Sequence, residues 1–276
     1  MSFQYLGDRL IISDLDRTEL GFSGLRVSQI LLRNCHDCIF DLHKLEVINQ
    51  NKALKFTPVI AEEDTCSNNE ILNFKSMSKH HLMELPRVGI EAKGNDTYIH
   101  HNSVEQYLIG YLMRGDGGRC EDNETIRSLN DDVRIMNAHR VRVKDNDLIE
   151  TSAYRVGILH NDGIQIVGND INVPLEDIII SGNNISCHNI DNYKQGIIAS
   201  EGATKGIQIF ENVFDINHEL VVLLNFSING EVYDNRGTAK NGGFIRFGSS
   251  KQERIGMKQT NNKWDRNDFP CNVFDM

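Results

Sequence analysis

The sequence predicts an all-β fold built as a solenoid of stacked coils, and three observations predict it. First, a short phrase recurs: two apolar residues two positions apart, a two-residue gap, then Asn. It reads Val141-Arg-Val143-Lys-Asp-Asn146, Ile178-Ile-Ile180-Ser-Gly-Asn183, Ile207-Gln-Ile209-Phe-Glu-Asn212 and, more weakly, Val232-Tyr-Asp-Asn235. Second, an apolar residue returns two positions past the Asn at Leu148, Ile185 and Phe214. Alternation with period two marks a strand with one buried face, and Asn among polar neighbours marks a turn. Third, the Asn residues are 37, 29 and 23 positions apart, so a fixed strand-and-turn unit repeats while its loops vary in length.

Taken in order, Arg9-Leu-Ile-Ile-Ser and Leu25 to Asn34 are apolar runs that read as strands, and Ile39-Phe-Asp-Leu fits the phrase poorly. From Ile48 to about Lys79 the pattern dissolves, with Glu62-Glu-Asp-Thr-Cys-Ser-Asn-Asn as an exposed loop. Residues 1–87 are therefore read as an N-terminal cap with irregular first coils, because an open solenoid end exposes apolar core that must be covered. Residues 88–276 are read as coils with a C-terminal cap. Thr97-Tyr-Ile99-His-His-Asn102 restores the phrase, and Val104 follows it; Ser103-Val-Glu-Gln106 also fits a helix capping box, but the register favours a strand. Arg114 to Asn123 reads as turn. Gly243-Phe-Ile-Arg-Phe and Ile255-Gly-Met257 into Asn261-Asn262 supply last strands, and Trp264 with Phe269 to Phe274 closes the end.

On these phrases the chain resembles the single-stranded right-handed parallel β-helix, the pectate-lyase-like superfamily of polysaccharide lyases, polygalacturonase-type hydrolases, sugar epimerases and phage tailspike depolymerases. The resemblance covers roughly the last two thirds of the chain. It implies coils of short strands and an internal ladder of stacked Asn. It also implies a polysaccharide as partner, Ca²⁺ as a cofactor some relatives use, and homotrimers of the kind phage fibres form. Fold alone does not assign chemistry.

Composition is compatible with this. Twenty-two Gly and only 4 Pro in 276 residues suit many tight turns and short strands. A net charge of −10 argues against a nucleic-acid partner, which needs a basic face, yet leaves room for a local basic stripe that holds an acidic polymer. No apolar run approaches the roughly 20 residues that span a bilayer, so no membrane partner is expected. The N-terminus shows no signal-peptide pattern, which leads to the expectation of synthesis in the cytoplasm, with virion association or release by lysis as a further route. The six Cys are irregularly spaced, and Cys35-His-Asp-Cys38 reads as two half-buried thiols rather than a metal or redox centre.

Two sets of residues carry candidate chemistry. Aligning the ladder Asn residues sets Tyr98 and His100 beside Arg142 and Lys144, with Arg140 extending the row. Adjacent strands lie roughly 4.8 Å apart, so these residues form one basic and aromatic patch if their coils are neighbours. Such a patch suits a uronate or a sialate, with Arg neutralising the carboxylate and Lys144 or Arg142 abstracting a proton, the chemistry the β-helix lyases use and an epimerase shares in its first half. The same alternation of charge also suits a solvated strand face.

The second set is Leu159-His160-Asn-Asp162-Gly-Ile-Gln-Ile166, with Asp162 and His160 as catalytic candidates and Lys194, Glu201 and Glu219 as substrate-binding ones; Asp162 is expected to stack near Gln195, and His160 near Tyr193 and Lys194. Asn-Asp-Gly-Ile looks like the Asn-x-Asp-Gly phrase of polygalacturonase-type hydrolases, which implies Asp162 as a catalytic carboxylate. Glu201 and Glu219 are the nearest second carboxylates for that reaction. The paired Asp motif and Gly-His-Gly motif of those hydrolases are absent, and Asn-Asp-Gly is a turn signal in its own right. His80-His81 with Glu84 and His100-His101 offer ligand types without a zinc spacing. A non-catalytic glycan-binding or structural β-helix, as in a tail or fibre, stays open beside the enzyme reading.

Overall fold

A computed structural model describes residues 2–47, 58–78, 88–151, 161–187, 194–248 and 256–267. Each coil adds one short strand to sheets that run the length of the molecule. Sheet 1 has eleven strands, from Ser2–Leu6 to Phe244–Phe247; sheet 2 has ten, from Glu19–Gly21 to Lys258–Thr260; sheet 3 has eight, from Lys75–Met77 to Lys263–Asn267. Two smaller sheets, of three and two strands, fill corners. All pairings within the three long sheets are parallel except the first, where Ser2–Leu6 runs antiparallel to Arg9–Asp16. Parallel strands that follow one another through a crossover wind right-handed. The molecule is a right-handed parallel β-helix.

One continuous column of buried apolar side chains fills the tube, from Leu10 and Ile30 through Ile90, Tyr111, Val133, Ile164 and Ile197 to Val222. The corner between sheets 2 and 3 is made by the Asn ladder. Asn102, Asn123, Asn146, Asn183, Asn212 and Asn235 each donate through Nδ2 to the Oδ1 of the next, at 2.9–3.1 Å, and the series ends at Asn262. The backbone N–H of each donates to the same oxygen, at 2.9–3.1 Å. The residue before every ladder Asn sits in the left-handed region, at φ of 55, 54, 53, 68, 56, 54 and 52° for His101, Asp122, Asp145, Gly182, Glu211, Asp234 and Asn261. A sharp corner leaves backbone groups without strand partners, and the amide stack satisfies them.

Parallel pairing also runs through the segment before residue 88. Arg9–Asp16, Gln29–His36 and Ile60–Glu62 pair in series and join Val88–Ala92. Register places Phe74 in the column that Asn occupies later, two residues past Leu72, whereas Phe22 and Leu42 follow the ends of their sheet 2 strands by one residue; all three are buried. These coils fit the repeat poorly in sequence because their corner is closed by apolar packing; the two regimes meet where the Phe74 N–H donates to Asn102 Oδ1 at 2.9 Å. Ser103–Glu105 is a strand of sheet 3, as the ladder register requires. Cys35 and Cys38 are fully buried rather than half-buried, and Cys66 packs with them in the core.

Candidate functional site

Sheet 2 turns its alternate side chains outward, and these form two columns. One runs Glu70, Tyr98, Arg119, Arg142, Ile179, Gln208, Glu231, Lys258; the other runs Leu72, His100, Glu121, Lys144, Ser181, Phe210, Tyr233, Thr260. The coil holding Arg119–Glu121 stands between those of Tyr98 and Arg142, so the expected direct contact between Tyr98 and Arg142 is corrected. His100 is likewise separated from Lys144, by Glu121. Spacing in the sequence misses that coil because its phrase, Gly118-Arg-Cys120-Glu-Asp-Asn123, has Gly and Cys where the phrases of Asn146, Asn183 and Asn212 have branched aliphatic residues.

Arg119 is the functional residue the correction brings in. Its guanidinium carbon lies 4.0 Å from the centroid of the Tyr98 ring, a cation–π contact, and Arg142 is its register partner one strand further on. Tyr98, Arg119, Arg140 and Arg142 line a groove of about 520 Å³, together with Glu70 and Asp96. Arg140 stands 3.7 Å from Asp116, whereas neither Arg119 nor Arg142 has an ion-pair partner among the described residues. Two guanidiniums side by side on neighbouring strands repel each other. In a chain with 39 acidic residues, an unpaired basic couple in a groove is an arrangement ready for an external anion.

His100 borders this groove. Its ring stacks on Tyr98 at 4.1 Å, Nδ1 lies 2.7 Å from His101 Nδ1, and Nε2 lies 3.5 Å from Glu70 Oε2 without a hydrogen bond. Burial, reinforced by the neighbouring His101, lowers its pKa, so the imidazole is neutral at neutral pH. Burial raises the Tyr98 phenol. Lys144 is held by Asp145 at 2.9 Å, and that hydrogen bond raises its pKa. The raised pKa keeps Lys144 protonated, so it is less available to take a proton than a free lysine.

The second expected site is a buried carboxyl cluster in sheet 1. Asp162 pairs in register with Asp131 on one side and Gln195 on the other. It is 2% exposed, and neither of its carboxylate oxygens has a hydrogen-bond partner among the described residues. Burial first, then the neighbouring Asp131, raises its pKa well above the usual range. Asp131 is pushed up to about 7 by burial against the pull of Arg134, whose Nε lies 2.5 Å away. An aspartate so enclosed offers no surface to a polymer, so the structure does not present Asp162 as an open catalytic acid. Lys194 is corrected too. It is fully buried, its ammonium 2.5 Å from Asp132 and donating to the carbonyls of Leu148 and Glu150 at 2.7 and 3.1 Å, and it cannot touch substrate.

Glu201 is exposed at the end of Gln195–Glu201, close enough to contribute to the raised pKa of Asp162, and Glu219 is exposed next to Asn241 at 3.4 Å. His160, Tyr193, His80, His81 and Glu84 lie outside the described residues. Among the described residues no group of three or more His, Cys, Asp and Glu side chains is placed to hold a metal ion.

Fold and groove together define a parallel β-helix with a cationic, aromatic cleft on sheet 2. No family model matches the chain, and no curated protein matches it. Among solved structures, it is similar to the DFA-IIIase of Arthrobacter chlorophenolicus in complex with GF2, at 10% identity over 93% of this chain and 60% of that one, with a TM-score of 0.43. It is also similar to the mannuronan C-5 epimerase A-module of Azotobacter vinelandii, at 11% identity over 96% of this chain and 87% of that one, with a TM-score of 0.37. The catalytic unit of a GH87 α-1,3-glucanase from Streptomyces thermodiastaticus matches at 11% identity over 89% of this chain and 56% of that one, with a TM-score of 0.26. The chain thus spans 60% of the length of the DFA-IIIase. Likeness at this level describes the path of the backbone and carries nothing about chemistry.

Proposed function

We propose that the protein binds an acidic polysaccharide along sheet 2, with Arg119 and Arg142 on its carboxylate groups, Arg140 at the rim and Tyr98 beneath. One observation carries this reading: Arg119 and Arg142 are register partners that line the same groove and lack any ion-pair partner among the described residues. Guanidinium forks match carboxylates in two parallel hydrogen bonds, and an extended polymer fits a row of such groups better than a compact ligand does. The test is a titration with labelled polygalacturonate beside a neutral glucan, at low and moderate salt. Tighter binding of the acidic polymer that weakens with salt, and that falls at least roughly tenfold in Arg142→Ala, is the expected result. Equal binding of the two polymers by the unaltered protein overturns the reading.

A second reading, β-elimination of the same polymer, is favoured by His100. A neutral imidazole stacked on Tyr98 at the edge of the groove has the charge state a general base requires; its Nε2 is shielded from solvent beside Glu70 Oε2 at 3.5 Å, so a turn of the ring is needed to bring it to the polymer. In that reaction the proton α to the carboxylate passes to Nε2 and its electrons form the new C=C bond. The glycosidic oxygen leaves from the β carbon and takes a proton from water, while the arginines hold the enolate charge. Ultraviolet absorbance of unsaturated uronates during the same titration separates cleavage from binding. An absorbance rise lost in His100→Gln supports elimination; no rise leaves binding alone, and reducing ends without absorbance mean hydrolysis.

A further inference from the structure

The outward columns of sheet 2 change character past Ser181. Phe210 and Tyr233 are register partners, and their rings stack at 4.9 Å with planes 5° apart. Phe210 covers one face of Tyr233; the other lies toward the Thr260 row, where a cavity of about 210 Å³ is lined by Tyr233, Thr260, Lys258, Glu231 and Asp234. Its electrostatics are opposite to those of the arginine groove. Lys258 is tied to Glu231 at 3.1 Å, and Asp234 accepts from Asn261 at 2.5 Å. Partial burial and the carboxylates of Glu231, Glu211 and Asp234 raise the Tyr233 phenol, so its hydroxyl keeps its proton. An anionic sugar meets only carboxylates and an already neutralised lysine here. An uncharged ring meets a flat aromatic face and a rim of oxygens that accept hydrogen bonds from hydroxyls.

Resting on the acidic-polysaccharide reading, we infer that the cavity over Tyr233 is a second carbohydrate subsite that takes a neutral sugar ring, so the polymer recognised is a mixed one. The Thr260 row lies four strands beyond that of Arg142 on the same face, a distance of about 19 Å at the strand repeat. The two subsites therefore lie on one straight track, a few sugar units apart. A homopolymer of uronic acid satisfies the arginines and is repelled at the far end. A heteropolysaccharide with charged and uncharged units satisfies both.

The test compares oligosaccharides of hyaluronan, which alternate a uronate with a neutral N-acetylhexosamine, with oligogalacturonates of equal length, both long enough to span the two subsites. Affinities are read by isothermal titration on the intact chain. The unaltered protein is expected to prefer the mixed oligomer. Tyr233→Leu is expected to weaken the mixed oligomer roughly five- to tenfold and to leave the homopolymer unchanged, while Tyr233→Phe, which keeps the ring, retains most of the preference. Thermal melts identify a variant that has lost its fold, and Tyr233→Phe keeps the comparison interpretable in that event. Equal affinity of the two oligomers, or an equal loss for both in Tyr233→Leu, overturns the second subsite. Arg142→Ala separates the two proposals: if it leaves both affinities intact, the acidic-polysaccharide reading itself falls, whatever Tyr233 does.

Discussion

The guanidinium carbon of Arg119 lies over the Tyr98 ring, 4.0 Å from its centroid, and among the described residues no carboxylate pairs with it. That contact fixes a long, flexible side chain in one place without spending its charge. A cation over an aromatic face keeps its N–H groups for a ligand, and Arg119 lines the groove.

Arg119→Lys is therefore not a conservative change. It keeps a positive charge but loses the planar fork and most of the stacking. Affinity for polygalacturonate is expected to fall roughly tenfold, with Arg119→Ala losing more, and both changes are expected to flatten the salt dependence only in proportion to the charge removed. Titration at two ionic strengths checks this. Retention of full affinity by Arg119→Lys would show that the groove reads net charge alone.

The Asn ladder is expected to be worth most in its middle. Asn183 accepts from the N–H and Nδ2 of Asn146, and donates to Val143 O, Ser181 O and Asn212 Oδ1. Asn183→Ala strands buried donors and acceptors on two coils at once, at a cost of about 2–4 kcal/mol. Asn262 is half-buried at the end of the series, and Asn262→Ala is expected to cost about 1 kcal/mol or less. Urea melts of the two variants measure the difference.

The ladder also shows how much of this molecule was legible in its sequence. Asn146, Asn183, Asn212 and Asn235 announce the fold because branched aliphatic residues flank them at fixed offsets. Asn123 is hidden because Gly118 and Cys120 fill those offsets; a Cβ at 118 would come within 2.7 Å of Met113 Cε. Losing one coil displaced the whole outward face by one row: Arg119 went unseen, and Tyr98 was set against Arg142. Phe22, Leu42 and Phe74 concealed the first coils in another way, by closing with apolar packing a corner that later coils close with amides. Burial was the other thing the spacing did not reveal. Asp162 and Lys194 carry the residue types of a catalytic site, but only the neighbouring coils decide whether a side chain meets solvent or core.

Burial of Asp162 has a consequence in pH. Its folded pKa is raised, and those of Asp131 and Glu62 are pushed up to about 7, against unfolded values near 4. The folded state therefore keeps protons that the unfolded chain releases above about pH 4. The stabilising contribution of these groups is full below about pH 4 and falls as the pH rises, through about 7 for Asp131 and Glu62. Asp162→Asn removes one ionisable group from the cluster. It is expected to stabilise the protein by on the order of 1–3 kcal/mol at pH 8 and to make little difference at pH 4. Thermal melts across that range check the sign. A variant less stable than the unaltered protein at pH 8 would mean that the ionised carboxylate is tolerated and paired in the folded state.

Asp132 and Lys194 make the sharpest stability prediction. Register places Asp132 between Gly110 and Gly163 in sheet 1. A Cβ added at Gly110 would come within 2.5 Å of Thr125 Cγ2, and one at Gly163 within 2.6 Å of Ile185 Cγ2, so this column points into the tube. Asp132 thus puts a carboxylate inside the core, where only the Lys194 ammonium, 2.5 Å away, and the polar side chains of Thr125 and Ser128 can compensate it. Lys194→Met removes the counter-charge and leaves the aspartate desolvated, at an expected cost of about 3–5 kcal/mol. The double variant Asp132→Ala/Lys194→Met removes both charges and is expected to recover most of that loss, because a buried pair contributes little net stability over apolar residues of similar volume. Denaturant melts of the two single variants and the double variant close the cycle. Additive losses would mean that Asp132 and Lys194 do not act as a pair, and that the ammonium is retained for the carbonyls of Leu148 and Glu150 instead.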